Sequence, residues 1–255
     1  MPEPLFTGVG VALATLFDEA GELDAKATAG HAATLVELGI RGVVVAGSTG
    51  EAAALTPEER VELLSEVRRA VGSEVPVVAG TGAPAARQAA ALTVQARDAG
   101  ADAVLALCPP RTTDPRPYYQ AVAEAAGDLP CLAYHFPQTS PPGIPVELLA
   151  DLPVQGMKDS SGDPERLLAE LEVFRHPLYV GAAMLLLMAG SLGIAGAILA
   201  VANVDPEHSI AAFAGDPTAQ RALLPAHRRV RHAFPFGLKQ AIADRFGTSP
   251  TTRLG

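Results

Sequence analysis

Short apolar runs alternate with longer helix-compatible stretches eight times along this chain, and that rhythm limits the fold more than any other feature. Runs near Val9–Leu13, Gly42–Ala46, Val75–Ala79, Ala103–Leu107, Pro130–Tyr134, Val154–Lys158, Tyr179–Gly181 and Gly196–Val201 read as buried strands. Between them, helices are expected near Ala25–Leu38, Pro57–Val71, Ala85–Ala99, Pro115–Ala126, Pro145–Leu152, Pro164–Phe174, Ala183–Leu192 and Pro206–Ala214. Apolar strands separated by helices are the signature of βα units and a parallel sheet covered by its crossovers. Eight such units predict an α/β fold: a (β/α)8 barrel over residues 1–214, followed by a short helical extension over 215–255.

Local chemistry agrees with this division. Thr56-Pro57, Asp114-Pro115, Asp163-Pro164 and Asp205-Pro206 each offer a side-chain acceptor at a helix N-cap with proline in the first turn, and Glu59 completes a capping box with Thr56. Gly39, Gly72 and Gly100 stand where helices need a left-handed terminator. No fixed-period repeat argues for a solenoid. From Leu178 to Val204 there is no charged residue, a length that could span a bilayer. Gly190, Gly193 and Gly196 interrupt it, so a helix feeding a buried strand is the expected structure.

The 255 residues carry a formal net charge of -9, which argues against a nucleic-acid or anionic-membrane surface and leaves a small molecule as the expected partner. Cys108 and Cys131 form neither a metal-ligand pattern nor a disulfide framework and read as core residues in a reducing compartment. Met1-Pro2-Glu3-Pro4 lacks the features of a signal peptide, so a cytoplasmic location is expected. The basic run from His227 to His232 reads as a solvated or interface face, with an anion site as the lesser alternative.

Three groups of reactive residues fall at strand ends, the rim on which α/β barrels keep their chemistry. After the second strand, Gly47-Ser48-Thr49-Gly50-Glu51 combines two hydroxyls with two glycines, so that backbone N–H groups and side chains can face an anion such as a carboxylate, though a plain turn fits as well. It is neither a P-loop nor a dinucleotide fingerprint. After the fifth strand, Tyr134 is a candidate proton relay or a capped core residue, while His135 falls on the opposite face and reads as structural. At the end of the sixth, Lys158 follows an apolar approach. An ordinary lysine is neutral in only about one molecule in a few thousand at pH 7, but burial lowers its pKa and frees a nucleophilic amine for imine formation with a keto group. Asp159 and Glu51 are nearby proton-handling candidates that read more readily as caps or hydrogen-bond acceptors.

Taken together, Gly-Ser-Thr-Gly-Glu at 47–51, Tyr-x-x-Pro at 134–137, Gly-Met-Lys-Asp-Ser-Ser-Gly-Asp at 156–163 and Gly-x-x-Gly-x-Ile-x-Ala-x-Ala-Asn-Val at 193–204 resemble the dihydrodipicolinate synthase / N-acetylneuraminate lyase family. The resemblance runs from about Thr7 to the C-terminus. It implies a class I, pyruvate-handling aldolase on a (β/α)8 barrel, without metal or cofactor and usually a homotetramer. By motif match, Lys158 would form the Schiff base with pyruvate and Tyr134 would shuttle protons. Ser48 and Thr49, with Gly47, would hold the carboxylate or relay protons, and the backbone at Ile198 would line the site.

Two departures bear on the substrate. Family members that make dihydrodipicolinate typically place an arginine at the position of Thr139 and a tyrosine in the segment that reads Cys108-Pro109-Pro110-Arg111-Thr112-Thr113 here. The expected activity is therefore reversible cleavage of a 4-hydroxy-2-oxo acid, of the 2-keto-3-deoxy sugar acid or hydroxy-oxoglutarate type, to pyruvate and an aldehyde. Arg111 and Thr139 are the candidate specificity contacts. The alternatives are a dihydrodipicolinate synthase condensing pyruvate with aspartate semialdehyde and a non-catalytic keto-acid-binding barrel. The extension after residue 214 is shorter than is usual in the family, which puts the oligomer, a dimer or tetramer, in question.

Overall fold

A computed structural model describes residues 3–254. Eight parallel strands, β1 (Gly8–Ala12), β2 (Val43–Val45), β3 (Val77–Gly80), β4 (Ala103–Leu107), β5 (Cys131–His135), β6 (Gly156–Asp159), β7 (Leu178–Val180) and β8 (Gly196–Leu199), pair in sequence order. The barrel closes where β8 pairs with β1, with Gly10 opposite Ile198. Each expected strand lies within two residues of its sequence-read start and end.

Helices α1 (Ala25–Glu37), α2 (Pro57–Val71), α3 (Ala86–Asp98), α4 (Arg116–Ala126), α5 (Pro164–Val173) and α6 (Leu186–Ser191) lie in the crossovers, and α7 (Pro206–Phe213) follows β8. After them come α8 (Pro217–Ala222), α9 (Leu224–Arg231) and α10 (Phe236–Phe246). The Thr56–Glu59 capping box is formed, and Asp163 and Asp205 cap α5 and α7. Three expectations need correction. The crossover after β5 is a 3-10 helix over Val146–Asp151, because Pro145 and Pro153 bracket a stretch too short for a settled α-helix. Ala183–Leu192 begins as a 3-10 turn before becoming α6. Asp114 is not the N-cap of α4; Pro115 takes that place, and the Asp114 carboxylate accepts from the Arg116 backbone N–H (3.1 Å) and pairs with its guanidinium.

The period-two alternation of strand side chains separates two cores. Inside the barrel, Ala12, Val44, Val78, Leu105, Leu132, Tyr179 and Ile198 pack with Phe6, while Ala133, Met157 and Leu199 face the helices. Phe6 lies just before β1 and blocks the N-terminal end of the lumen. A Cβ on Gly10 or Gly42 would come within 2.7 or 2.5 Å of its ring, so a side chain at either position would displace Phe6. The Tyr179 hydroxyl donates to the Phe6 carbonyl (3.1 Å) and completes this floor. The charge-free stretch 178–204 is divided between two strands and short helices, and among the described residues no helix is long and apolar enough to cross a membrane.

Candidate active site

Strand register lines up the residues that face the lumen around Lys158. Leu107, Tyr134, Lys158 and Tyr179 are successive partners across β4 to β7, so the lysine and tyrosine of two separate motifs become direct neighbours. Lys158 is 4% exposed, and its Nζ lies 4.3 Å from the centroid of the Tyr134 ring. Among the described residues it forms no ion pair, and burial alone lowers its pKa from 10.5 to about 7. A far larger share of such amines is neutral at pH 7 than the minute fraction of ordinary lysines. Gly181, just beyond β7, leaves room for this side chain: a Cβ there would lie 2.9 Å from Lys158 Cε and would collide with Ser160 Oγ.

Tyr134 is buried, and burial pushes its pKa up to about 12, opposed by hydrogen bonds with Ser160 and Ser48. Ser160 Oγ donates to the Tyr134 hydroxyl at 3.4 Å. A phenol held so firmly protonated is a poor free base; it can accept a proton only while passing its own to a neighbour, and the two serines are positioned for that exchange. Ser160 was not among the sequence-derived candidates. Period two was the available signal, because a residue two beyond Lys158 falls on the same side of the chain.

The loop after β2 is tightly fixed. Ala46 (φ 50°) and Glu51 (φ 54°) adopt left-handed conformations at its ends, a strain of the sort that the surroundings must over-determine. The Gly47 carbonyl accepts from the N–H groups of Gly50 (3.0 Å) and Ala52 (3.2 Å), and Thr15 Oγ1 donates to the Gly50 carbonyl (2.7 Å). Ser48 and Gly47 are half-buried and Thr49 is buried between these anchors. Ile198 sits in the lumen cluster with Tyr134.

The remaining candidates lie elsewhere. His135 and Asp159 face the helices, as alternation requires. His135 Nδ1 accepts from the Ile144 N–H (2.9 Å), and burial lowers its pKa to about 3. The Asp159 carboxylate accepts from the Ser161 N–H (2.8 Å) and hydroxyl (2.7 Å). Cys108 and Cys131 are buried free thiols. Glu51 is fully buried and ion-paired with Lys239, which the sequence reading did not single out. Arg111 and Thr139 are exposed rim-loop residues, and among the described residues no hydrogen bond or ion pair joins their side chains to Lys158, Tyr134 or Ser48. The Arg111 N–H donates to the Pro141 carbonyl (2.7 Å), stitching the β4 and β5 loops together. Among the described residues, no group of three or more His, Cys, Asp or Glu is arranged to hold a metal ion. The arrangement as a whole brings a buried amine of lowered pKa, a buried phenol and a loop of two hydroxyls between glycines to one mouth.

A family model described as the dihydrodipicolinate synthetase family matches residues 5–222. Similar proteins include an uncharacterized DapA-like lyase of Halobacterium salinarum, 37% identical over 93% of this chain and 84% of its own. Another is the 4-hydroxy-tetrahydrodipicolinate synthase of Natronomonas pharaonis, 35% identical over 88% of this chain and 80% of its own. Among solved structures, the chain resembles YagE, an Escherichia coli K12 prophage protein of the dihydrodipicolinic acid synthase family in complex with pyruvate. The TM-score is 0.90 at 26% identity, covering 98% of this chain and 92% of that one.

Proposed function

The chain belongs to the dihydrodipicolinate synthetase family and is a lyase of the class I aldolase type, and from that premise we propose that it reversibly cleaves a 4-hydroxy-2-oxo acid to pyruvate and an aldehyde. The observation that carries the reading is the buried Lys158 amine, unpaired and set against the Tyr134 ring.

In this mechanism the neutral Lys158 amine adds to the C2 carbonyl, and loss of water leaves an iminium that acts as an electron sink. Ser48 and Thr49 hold the substrate carboxylate. Tyr134 takes the proton of the 4-hydroxyl as its own passes to Ser48 or Ser160, whose hydroxyl in the same movement gives up its own proton to water at the mouth. The C3–C4 bond breaks, the aldehyde forms, and the bonding pair moves into the iminium to give an enamine. Protonation at C3 and hydrolysis by water then release pyruvate and the free amine. Borohydride treatment in the presence of pyruvate should add the mass of the reduced adduct at Lys158; an unmodified lysine under saturating pyruvate would rule the mechanism out.

A second reading, condensation of pyruvate with aspartate semialdehyde, draws on relatives such as the Natronomonas pharaonis synthase. Thr139 weighs against it, since it offers no cation for the semialdehyde carboxylate. Rates with pyruvate and a panel of aldehydes separate the two: turnover with the semialdehyde far above that with sugar aldehydes would favour the synthase. In this reading the barrel to residue 214 carries the chemistry, the enzyme works in the cytoplasm as a dimer or tetramer, and light scattering gives the assembly.

A further inference from the structure

Residues of the C-terminal region do more than cover the outside of the barrel. Lys239 on α10 is fully buried, and its Nζ lies 3.0 Å from Glu51 Oε1 while donating to the Thr251 carbonyl (2.9 Å). The other carboxylate oxygen, Glu51 Oε2, accepts from the backbone N–H groups of Arg253 (2.8 Å) and Leu254 (2.7 Å). Both oxygens of the residue that ends the Gly47–Glu51 loop are therefore held by chain from the far end of the sequence.

The Arg253 side chain extends the same grip. Its guanidinium pairs with both oxygens of Glu59 (2.9 and 2.7 Å), the acid that also closes the capping box of α2. It donates further to the carbonyls of Ala54 (3.0 Å) and Gly21 (2.7 Å). Lys239 Nζ and the Arg253 guanidinium both lie against the Phe17 ring, at 4.5 and 4.4 Å from its centroid. The stretch from Glu51 to Glu59 is thus fastened at both ends. Its first residue is in a left-handed conformation that a non-glycine side chain rarely adopts, so an external hold is needed to keep it there.

We propose that Lys239, Arg253 and the backbone of the last residues form a clasp on Glu51 whose role is to position Ser48 and Thr49 for the substrate carboxylate. Glu51, Lys239 and Arg253 are positioning residues: they act on the loop and touch no substrate. The idea rests on the proposed pyruvate chemistry, because it concerns how the same loop binds pyruvate. A loosened clasp lets the hydroxyl loop drift relative to a fixed Lys158. Displacements on the order of an ångström at such a site cost up to about 100-fold, and they weaken pyruvate capture before they affect the amine.

The test is the pyruvate concentration giving half-maximal borohydride-trapped adduct at Lys158, measured by mass on the full chain alongside its melting temperature. Arg253→Ala is the primary variant, because this side chain is the most exposed member of the clasp; Lys239→Met is the second. Arg253→Ala should raise the half-saturating concentration about tenfold while the adduct yield at saturating pyruvate stays at the wild-type level. Arg253→Lys should recover part of the loss. A purely structural contact would lower the melting temperature and the saturating yield without moving the half-saturation point, and that result, or a shift under about twofold, overturns the clasp. Should Lys239→Met fail to fold, Arg253→Ala alone decides. Failure of the wild-type chain to form any adduct would instead sink the pyruvate chemistry itself, so the two ideas fall on different results.

Discussion

Two lysines are buried in this protein, and the fold treats them in opposite ways. Each lies against an aromatic ring, Lys158 on Tyr134 at 4.3 Å and Lys239 on Phe17 at 4.5 Å. Lys239 also has the Glu51 carboxylate at 3.0 Å and a backbone carbonyl at 2.9 Å, which offset the burial that pulls its pKa down. Lys158 has neither, and its pKa settles at about 7. The contrast shows that burial alone does not make a reactive amine. What separates the two is a counterion supplied beside Lys239 and withheld at the rim, where the proposed chemistry needs a neutral amine.

The largest effects should come from exchanging these roles. Lys158→Met should abolish the borohydride-trapped adduct entirely while leaving the protein as stable as the wild type or more so, since it removes an uncompensated buried cation; a clear fall in melting temperature would contradict the contrast. Lys239→Met should do the reverse, lowering stability by about 3–5 kcal/mol, because it strands the Glu51 carboxylate in the interior. Denaturant titration measures this loss, and adding Glu51→Gln to Lys239→Met should recover a substantial part of it.

A smaller and more diagnostic effect is the pH dependence. Because the folded-state pKa of Lys158 lies below its unfolded value, the unfolded chain binds more protons between about pH 7 and 10.5. The burden Lys158 places on folding is therefore full below pH 7 and fades as pH rises toward 10.5. The stability gain of Lys158→Met should shrink over the same range in denaturant titrations at pH 6, 8 and 10. The rate of adduct formation should rise through an apparent midpoint near 7 as the amine loses its proton. The smallest expected change is for Ser160→Ala, which removes one of two relay partners of Tyr134 and should lower kcat about tenfold with little change in the pyruvate needed for half-saturation.

How much of this was legible in the sequence differs between the same two sites. Lys158 and Tyr134 stand at the ends of apolar runs, where strand period and barrel closure predict their meeting, and the register pairs them directly. Ser160 was readable by the same rule. The Lys239 site has no such signal, since 202 residues separate Arg253 from Glu51 and no local period connects a helix lysine to a distant loop acid. The alternation rule also predicted that His135 would turn away from Tyr134, and Asp159, the next residue after Lys158, turns away for the same reason. Arg111 and Thr139 sit on loops, where neither strand period nor helix period fixes a side chain, so residue type alone did not bring them to the amine.

The Phe6 floor has a kinetic consequence. With Phe6 across the N-terminal end of the lumen, the proposed chemistry would take in substrate and release products through the mouth above Lys158. In the proposed mechanism, once C2 is bonded to the lysine the chain from C4 onward would lie toward that mouth, so the aldehyde would depart first and pyruvate second. Product inhibition should follow that order: pyruvate competing directly with the 2-oxo acid for the free enzyme, and the aldehyde inhibiting in a noncompetitive pattern.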